Sequence, residues 1–245
     1  MPQIVVENLT VNYVNNFKNE ITALKEMNVV FESGKFHVIL GASGSGKTTL
    51  IQTIIGLLPY YGDIYFDSIN AAKLKINQRD LSYVSQDYIL YPNKNIFENI
   101  AFPLRLKGCS REEIIERVTN IAKFYGLEHC LFRKPKHLSG GQKQKVAMAR
   151  ALVKKSSLYL FDEPFSNIDP LARGEEERYL KKYLSEHRAT IIYATHDLKE
   201  AINLADYIYI IDNGKMAFKG TPEELLSSSL DIVTTLRKAS LDGEI

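Results

Sequence analysis

The stretch Gly41-Ala42-Ser43-Gly44-Ser45-Gly46-Lys47-Thr48 has the residue types and spacing of a loop that holds phosphate. Its glycines let the backbone fold around phosphate oxygens with successive N–H groups pointing inward, and a following helix adds partial positive charge at its N-terminus. Lys47 can then reach the β- and γ-phosphates of a nucleotide, Thr48 offers a hydroxyl to Mg²⁺, and Thr49 completes the binding set. Such a loop needs a carboxylate for its metal. The run Leu158-Tyr159-Leu160-Phe161-Asp162-Glu163 supplies one at the C-terminal end of an apolar strand, where open α/β sheets keep their ligands. Asp162 is expected to hold Mg²⁺ through water, and Glu163, adjacent but projecting differently, to polarise the water that attacks the γ-phosphate.

Both motifs require strands that end, and helices that begin, at defined places. The first ninety residues read as short strands at Ile4 to Val11, Val29 to Phe31, Phe36 to Leu40, Ile64 to Phe66 and Leu81 to Val84, with one helix after Lys47. A helical insertion over about 87–157 follows. Within it Ser110-Arg111-Glu112-Glu113 is a capping box, opening a helix whose apolar residues Ile114, Ile115, Val118, Ile121 and Ala122 recur at helical spacing. From Leu158 strands and helices alternate again: Leu158 to Phe161, a helix from Pro170, Thr190 to Ala194, a short helix, and Tyr207 to Ile211. That alternation implies an α/β fold with a mostly parallel sheet covered by helices. Asp212-Asn213-Gly214-Lys215 marks a hairpin turn, and Thr221-Pro222-Glu223-Glu224 is a second capping box. Residues 1–226 read as one domain and 227–245 as a loosely held polar tail.

With 245 residues and 45% hydrophobic content, the chain can bury a sizeable core. A net charge of +2 from 31 basic and 29 acidic residues gives no bulk attraction to nucleic acid. Cys109 and Cys130 have neither CxxC nor Cys/His spacing, which fits a reducing compartment. No apolar stretch approaches the roughly 18 residues of a spanning helix, and residues 1–13 lack the basic start and apolar block of a signal peptide. A cytosolic chain that does not itself cross a bilayer is expected.

Leu138-Ser139-Gly140-Gly141-Gln142 lies shortly before the Asp162 strand, and with it the sequence resembles the ABC ATPase family across nearly all of residues 3–226. The resemblance implies a P-loop NTPase core of the RecA-like kind, an N-terminal antiparallel β subdomain and an inserted α-helical subdomain. It implies a dimer in which Ser139, Gly140, Gly141 and Gln142 cap the γ-phosphate held by the other subunit, with a second copy or a similar ATPase as partner. Tyr13 matches the aromatic residue that stacks on adenine, with Phe17 as the neighbouring alternative. Gln86 matches the glutamine that contacts Mg²⁺ and the attacking water. Asp169, in Ser166-Asn167-Ile168-Asp169, matches a loop that crosses the dimer interface, although Asn167 departs from the family's usual alanine. The same Asp169 can serve as N-cap of the helix begun by Pro170. His196, in Ala194-Thr195-His196-Asp197, matches the histidine that contacts the γ-phosphate.

The segment Asp87 to Leu104 carries large apolar residues in an otherwise loop-like stretch and resembles the surface on which importer ATPases receive a membrane partner. Its other reading is a local core for the insertion. The run Arg133-Lys134-Pro135-Lys136 through Gln142, together with Phe161 to Asp169, resembles solute-importer ATPases most. The implied partners are transmembrane permease subunits and a solute-binding protein, with the chain peripheral on the cytoplasmic side of the cell membrane. An exporter ATPase, or a non-transport ATPase of DNA repair or translation, are the alternatives; the coiled-coil or zinc insertion and the second core typical of the last two are missing.

Overall fold

The computed structural model describes residues 2–14, 20–166 and 170–242. In chain order its elements are β1 (Ile4–Val14), β2 (Glu20–Phe31), β3 (Phe36–Leu40), α1 (Lys47–Ile55), β4 (Tyr61–Phe66), β5 (Ile69–Asn70), β6 (Leu81–Val84), α2 (Ile96–Leu106), α3 (Arg111–Phe124), α4 (Gly140–Leu152), β7 (Leu158–Asp162), α5 (Pro170–His187), β8 (Thr190–Thr195), α6 (Leu198–Leu204), β9 (Tyr207–Asp212), β10 (Lys215–Gly220), α7 (Pro222–Ser227) and α8 (Asp231–Asp242). They fall into two compact units. The first comprises Met1–Leu81, Ser157–Glu163 and Glu176–Ile245, the second Ser82–Ser156 and Pro164–Glu175.

In the first unit, neighbouring strands run in the order β10-β9-β3-β8-β7, parallel except for the hairpin β9-β10. Every residue of β3, β7 and β8 is buried, which explains their near-continuous apolar sequences: a central parallel strand is covered on both faces. Asn213 and Gly214 both take positive φ, 46° and 74°, as a two-residue hairpin turn of the expected kind demands. The antiparallel sheet β2-β1-β4-β5 completes the unit. Its β2 is far longer than the three residues expected from Val29 to Phe31. Among the described residues β2 pairs only with β1, and its exposed residues Glu20, Thr22, Lys25, Glu26 and Asn28 are polar, with Ile21 the apolar exception, so an apolar run shows only at its buried end.

The capping box at Thr221 and Glu224 opens α7 as expected. The reading of 227–245 as a loosely held tail is corrected over residues 231–242, which form α8, packed against α6 with Val233 buried. Ile232, Val233 and Leu236 make a one-sided apolar stripe that the surrounding serines and threonines disguise.

In the second unit α2 packs on α3 and α4, and α3 on α4. Its core includes Ile96, Ile100, Leu104, Ile114, Val118, Ile121, Val146 and Leu152. Two expectations change here. The loop-like reading of Asp87 to Leu104 gives way to a helix from Ile96, capped by the Asn95 side chain on the Glu98 N–H at 2.8 Å. Ile115 is exposed, so the buried face of α3 is narrower than its apolar content suggests. The stretch leading into α2 is organised by the buried Asn99, whose amide accepts from Tyr91 N and donates to the carbonyls of Tyr91, Lys94 and Asn95.

Candidate functional site

Parallel pairing assembles the site. Leu40 lies beside Thr195 across β3 and β8, and Asp162 beside Ala194 across β7 and β8. The C-terminal ends of three strands, remote in sequence, are therefore level, and the segments leaving them converge on one edge of the sheet.

After β3 the phosphate loop turns tightly. A Cβ at Gly41 would lie 2.4 Å from the Ile211 carbonyl oxygen, so only glycine fits there. Gly46, at φ 113°, is the N-cap of α1 and brings no side chain to its first N–H groups, leaving them for an anion. The loop is braced from the β9-β10 turn: Gly214 N–H donates to the Ser45 carbonyl at 3.0 Å, and Lys25 N–H to the Gly214 carbonyl at 2.9 Å. Lys47 is 4% exposed and curls beneath the loop, donating to the carbonyls of Gly41 at 2.8 Å and Ala42 at 3.0 Å. Its ammonium also stands 3.4 Å from Glu163 Oε1.

Thr48 Oγ1 donates to Asp162 Oδ1 at 3.0 Å, so two of the three expected metal ligands are neighbours. Glu163 projects differently from Asp162 for a visible reason. Its φ is 47°, in the left-handed region that a non-glycine residue enters at a cost of about 1 kcal/mol or more, and its N–H donates to the Ala194 carbonyl at 3.0 Å. The carboxylate thus turned meets His196, whose Nδ1 is 3.0 Å from Glu163 Oε2.

That contact couples two titrations. The hydrogen bond to His196 holds the Glu163 carboxyl below its ordinary value, with Lys47 adding to the effect against burial. The same bond raises His196 above its ordinary 6.5, again against burial. The Glu163 contribution to stability is present above its ordinary 4.5 and fades as pH falls through the lowered value. The His196 contribution is complete below 6.5 and fades as pH rises through the raised value. The contact is accordingly strongest between those ordinary values. Histidine NMR should show His196 titrating above 6.5, and Glu163→Gln should return it toward that value; an unshifted His196 in the unaltered chain would contradict the contact.

Tyr13, at the end of β1, is partly exposed and its hydroxyl lies 3.2 Å from Thr49 Oγ1, beside the phosphate loop. Gln86 is exposed, two residues beyond β6, in the second unit. In that unit Ser139 is the N-cap of α4. Its hydroxyl accepts from Gln142 N–H at 3.3 Å while Gln142 Oε1 accepts from Ser139 N–H at 3.1 Å, a capping box that sequence reading had not singled out. Among the described residues, Cβ atoms at Gly140 and Gly141 would meet open space. Asp169 and Asn167, like Phe17, lie outside the described residues.

Sequence reading also missed Thr195, Glu200, Tyr88 and Gln144. Glu200 is buried and accepts from the Tyr193 and Thr195 hydroxyls. Within the second unit Pro164 O accepts from both the Tyr88 hydroxyl, at 3.1 Å, and the Gln144 amide. The available signal was a Glu on the buried face of a predicted helix, which a motif search passes over.

Residues 24–166 match the family model described as ABC transporter. The chain is 41% identical over 213 residues to the trehalose/maltose import ATP-binding protein MalK of Thermococcus litoralis, covering 84% of this chain and 57% of that relative. It is 40% identical over 251 residues to the glucose import ATP-binding protein GlcV of Saccharolobus solfataricus, covering 100% of this chain and 69% of that one. It thus spans little more than half the length of the first relative and about two thirds of the second. Among solved structures, the dimeric post-hydrolysis state of the ATP-binding cassette MJ0796 bound to ADP and Pi aligns with a TM-score of 0.82 at 30% identity, over 89% of this chain and 98% of that one. The dimeric structure of MJ0796 described as a bacterial ABC transporter cassette aligns equally well, at 31% identity and with the same coverage.

Proposed function

Because the chain belongs to the ABC transporter family, we propose that it binds and hydrolyses ATP to drive solute import through separate permease subunits. The observation that carries the chemistry is the convergence of Lys47, Glu163 and His196 at one edge of the sheet, beside the Thr48–Asp162 pair.

The loop amides from Gly44 to Thr48 and the α1 N-terminus hold the phosphates, and Lys47 exchanges its carbonyl partners for phosphate oxygens. Thr48 and Asp162 form a hard oxygen donor set that suits Mg²⁺, an ion that takes one or two protein ligands and otherwise water and phosphate. When bound, Mg²⁺ would neutralise charge developing on the phosphates. Glu163, held ionised at neutral pH by His196 and Lys47, orients the attacking water. Its lowered pKa makes it a weak base, which suffices, because a loose phosphoryl-transfer transition state depends on positioning and electrostatics more than on proton abstraction. His196 keeps the carboxylate aimed. Tyr13 stacks on adenine, Gln86 contributes to the metal and water, and Ser139, Gly140, Gly141 and Gln142 close over the ATP of a partner subunit across an interface that includes Asp169. The dimeric MJ0796 structures support assembly as a dimer.

The import names of the two relatives support the direction of transport. Ile89, 67% exposed, and Tyr91, 39% exposed, offer an apolar surface for a permease. No helix among the described residues is long and apolar enough to cross a membrane; the permease spans it, with this chain peripheral on the cytoplasmic side and a solute-binding protein delivering the cargo. Tagging the chain in its host and gently solubilising the membranes should recover multi-span permease subunits. Recovery of ribosomes or DNA-repair proteins in their place would leave the ATPase chemistry standing and overturn the transport reading.

A further inference from the structure

His196 is gripped from both sides along the chain. Before it, Thr195 Oγ1 donates to Glu200 Oε2 at 2.7 Å. After it, Asp197 N–H donates back to that same Thr195 Oγ1 at 3.0 Å, closing a small turn across His196. Asp197 then caps α6, its Oδ1 accepting from the N–H groups of Lys199 at 2.7 Å and Glu200 at 3.2 Å. Both grips lead to Glu200, whose side chain sits in the core at 4% exposure. Its Oε2 takes a second hydrogen bond, from the Tyr193 hydroxyl at 2.9 Å. Residues 193 and 195 share one face of β8, which is why both hydroxyls reach a single oxygen.

A buried carboxyl group is costly, and an apolar residue at this point of α6 would pack without that cost. The stretch it fixes explains its presence. Residues 194–196 hold Glu163 twice, through the Ala194 carbonyl on the Glu163 N–H and through His196 Nδ1 on the carboxylate. We propose that Glu200 is a positioning residue for the proposed ATP hydrolysis, acting through Thr195 to set the place from which His196 meets Glu163. The inference rests on that proposed activity. Tyr193 shares the carboxylate oxygen but stands three residues from His196, so it stabilises Glu200 without steering the turn.

Two near-isosteric variants separate positioning from plain stability. Thr195→Val and Tyr193→Phe each delete one hydroxyl from the same oxygen, and both should lower Tm. Thr195→Val should lower kcat by about tenfold to a hundredfold, the scale of a small misplacement at a reacting centre, with KM for ATP unchanged. Thr195→Ser, which keeps the hydroxyl, should restore it, and Tyr193→Phe should stay within twofold of the unaltered chain. Equal kcat losses in Thr195→Val and Tyr193→Phe, or no loss in Thr195→Val, would overturn the proposal. A chain that hydrolyses no ATP at all would refute the activity and not the positioning, which histidine NMR reads separately. There Thr195→Val should move the His196 titration down toward its ordinary value while Tyr193→Phe leaves it in place, and equal shifts in both would count against Glu200.

Discussion

Glu163→Gln should bind ATP at least as tightly as the unaltered chain while losing kcat by about a hundredfold to ten-thousandfold, the usual reach of a positioned acid–base group. The substitution keeps the volume and one carbonyl oxygen to accept from His196 Nδ1, so the turn at φ 47° and the shape of the site survive. What it removes is charge. The amide no longer attracts Lys47, 3.4 Å away, and no longer repels the polyphosphate, hence the retained or improved affinity. Unhydrolysed ATP should then accumulate in a closed dimer. Phosphate release and the mass of the complex in the presence of ATP measure both halves, and normal turnover would remove Glu163 from the water-polarising role.

Lys47→Ala should act on binding itself. The ammonium is bonded to both the Gly41 and Ala42 carbonyls beneath the loop, and charge-assisted hydrogen bonds contribute about 1.5–3 kcal/mol each. Loss of one such bond to phosphate weakens ATP by roughly tenfold to a hundredfold. Titration with a fluorescent ATP analogue reads this directly. Because Glu163 then loses a cation that helps keep its pKa low, its ionisation rests more heavily on His196, and the acid side of any pH–rate profile should move upward. Unchanged affinity in Lys47→Ala would mean that the loop does not hold phosphate as described.

The features readable in the sequence are those decided within a few residues. Gly41 to Thr48 needs glycine where a Cβ would strike the Ile211 carbonyl and where φ is positive, and those demands leave a local pattern of glycines. The Asn213-Gly214 turn, the Thr221 capping box and the apolar strands feeding Gly41 and Glu163 are local in the same sense. The helix α8 and the long β2 were hidden because polar residues on their open faces outnumber the buried ones, so only a partner surface reveals which side is inside.

By itself, then, the sequence singled out the residues proposed to carry the chemistry, since a phosphate loop, a strand ending in Asp-Glu and a Thr-His-Asp turn are each legible as short segments. Only the tertiary structure decided that these segments meet. Lys47, Glu163 and His196 touch because β3, β8 and β7 pair in parallel with Leu40 level with Thr195 and Asp162 level with Ala194. It also decided that the buried Glu200 accepts from the Thr195 hydroxyl on which the turn across His196 closes. Strand register is set by hydrogen bonds and core packing between residues far apart in the chain, and no window of neighbouring residues contains that information.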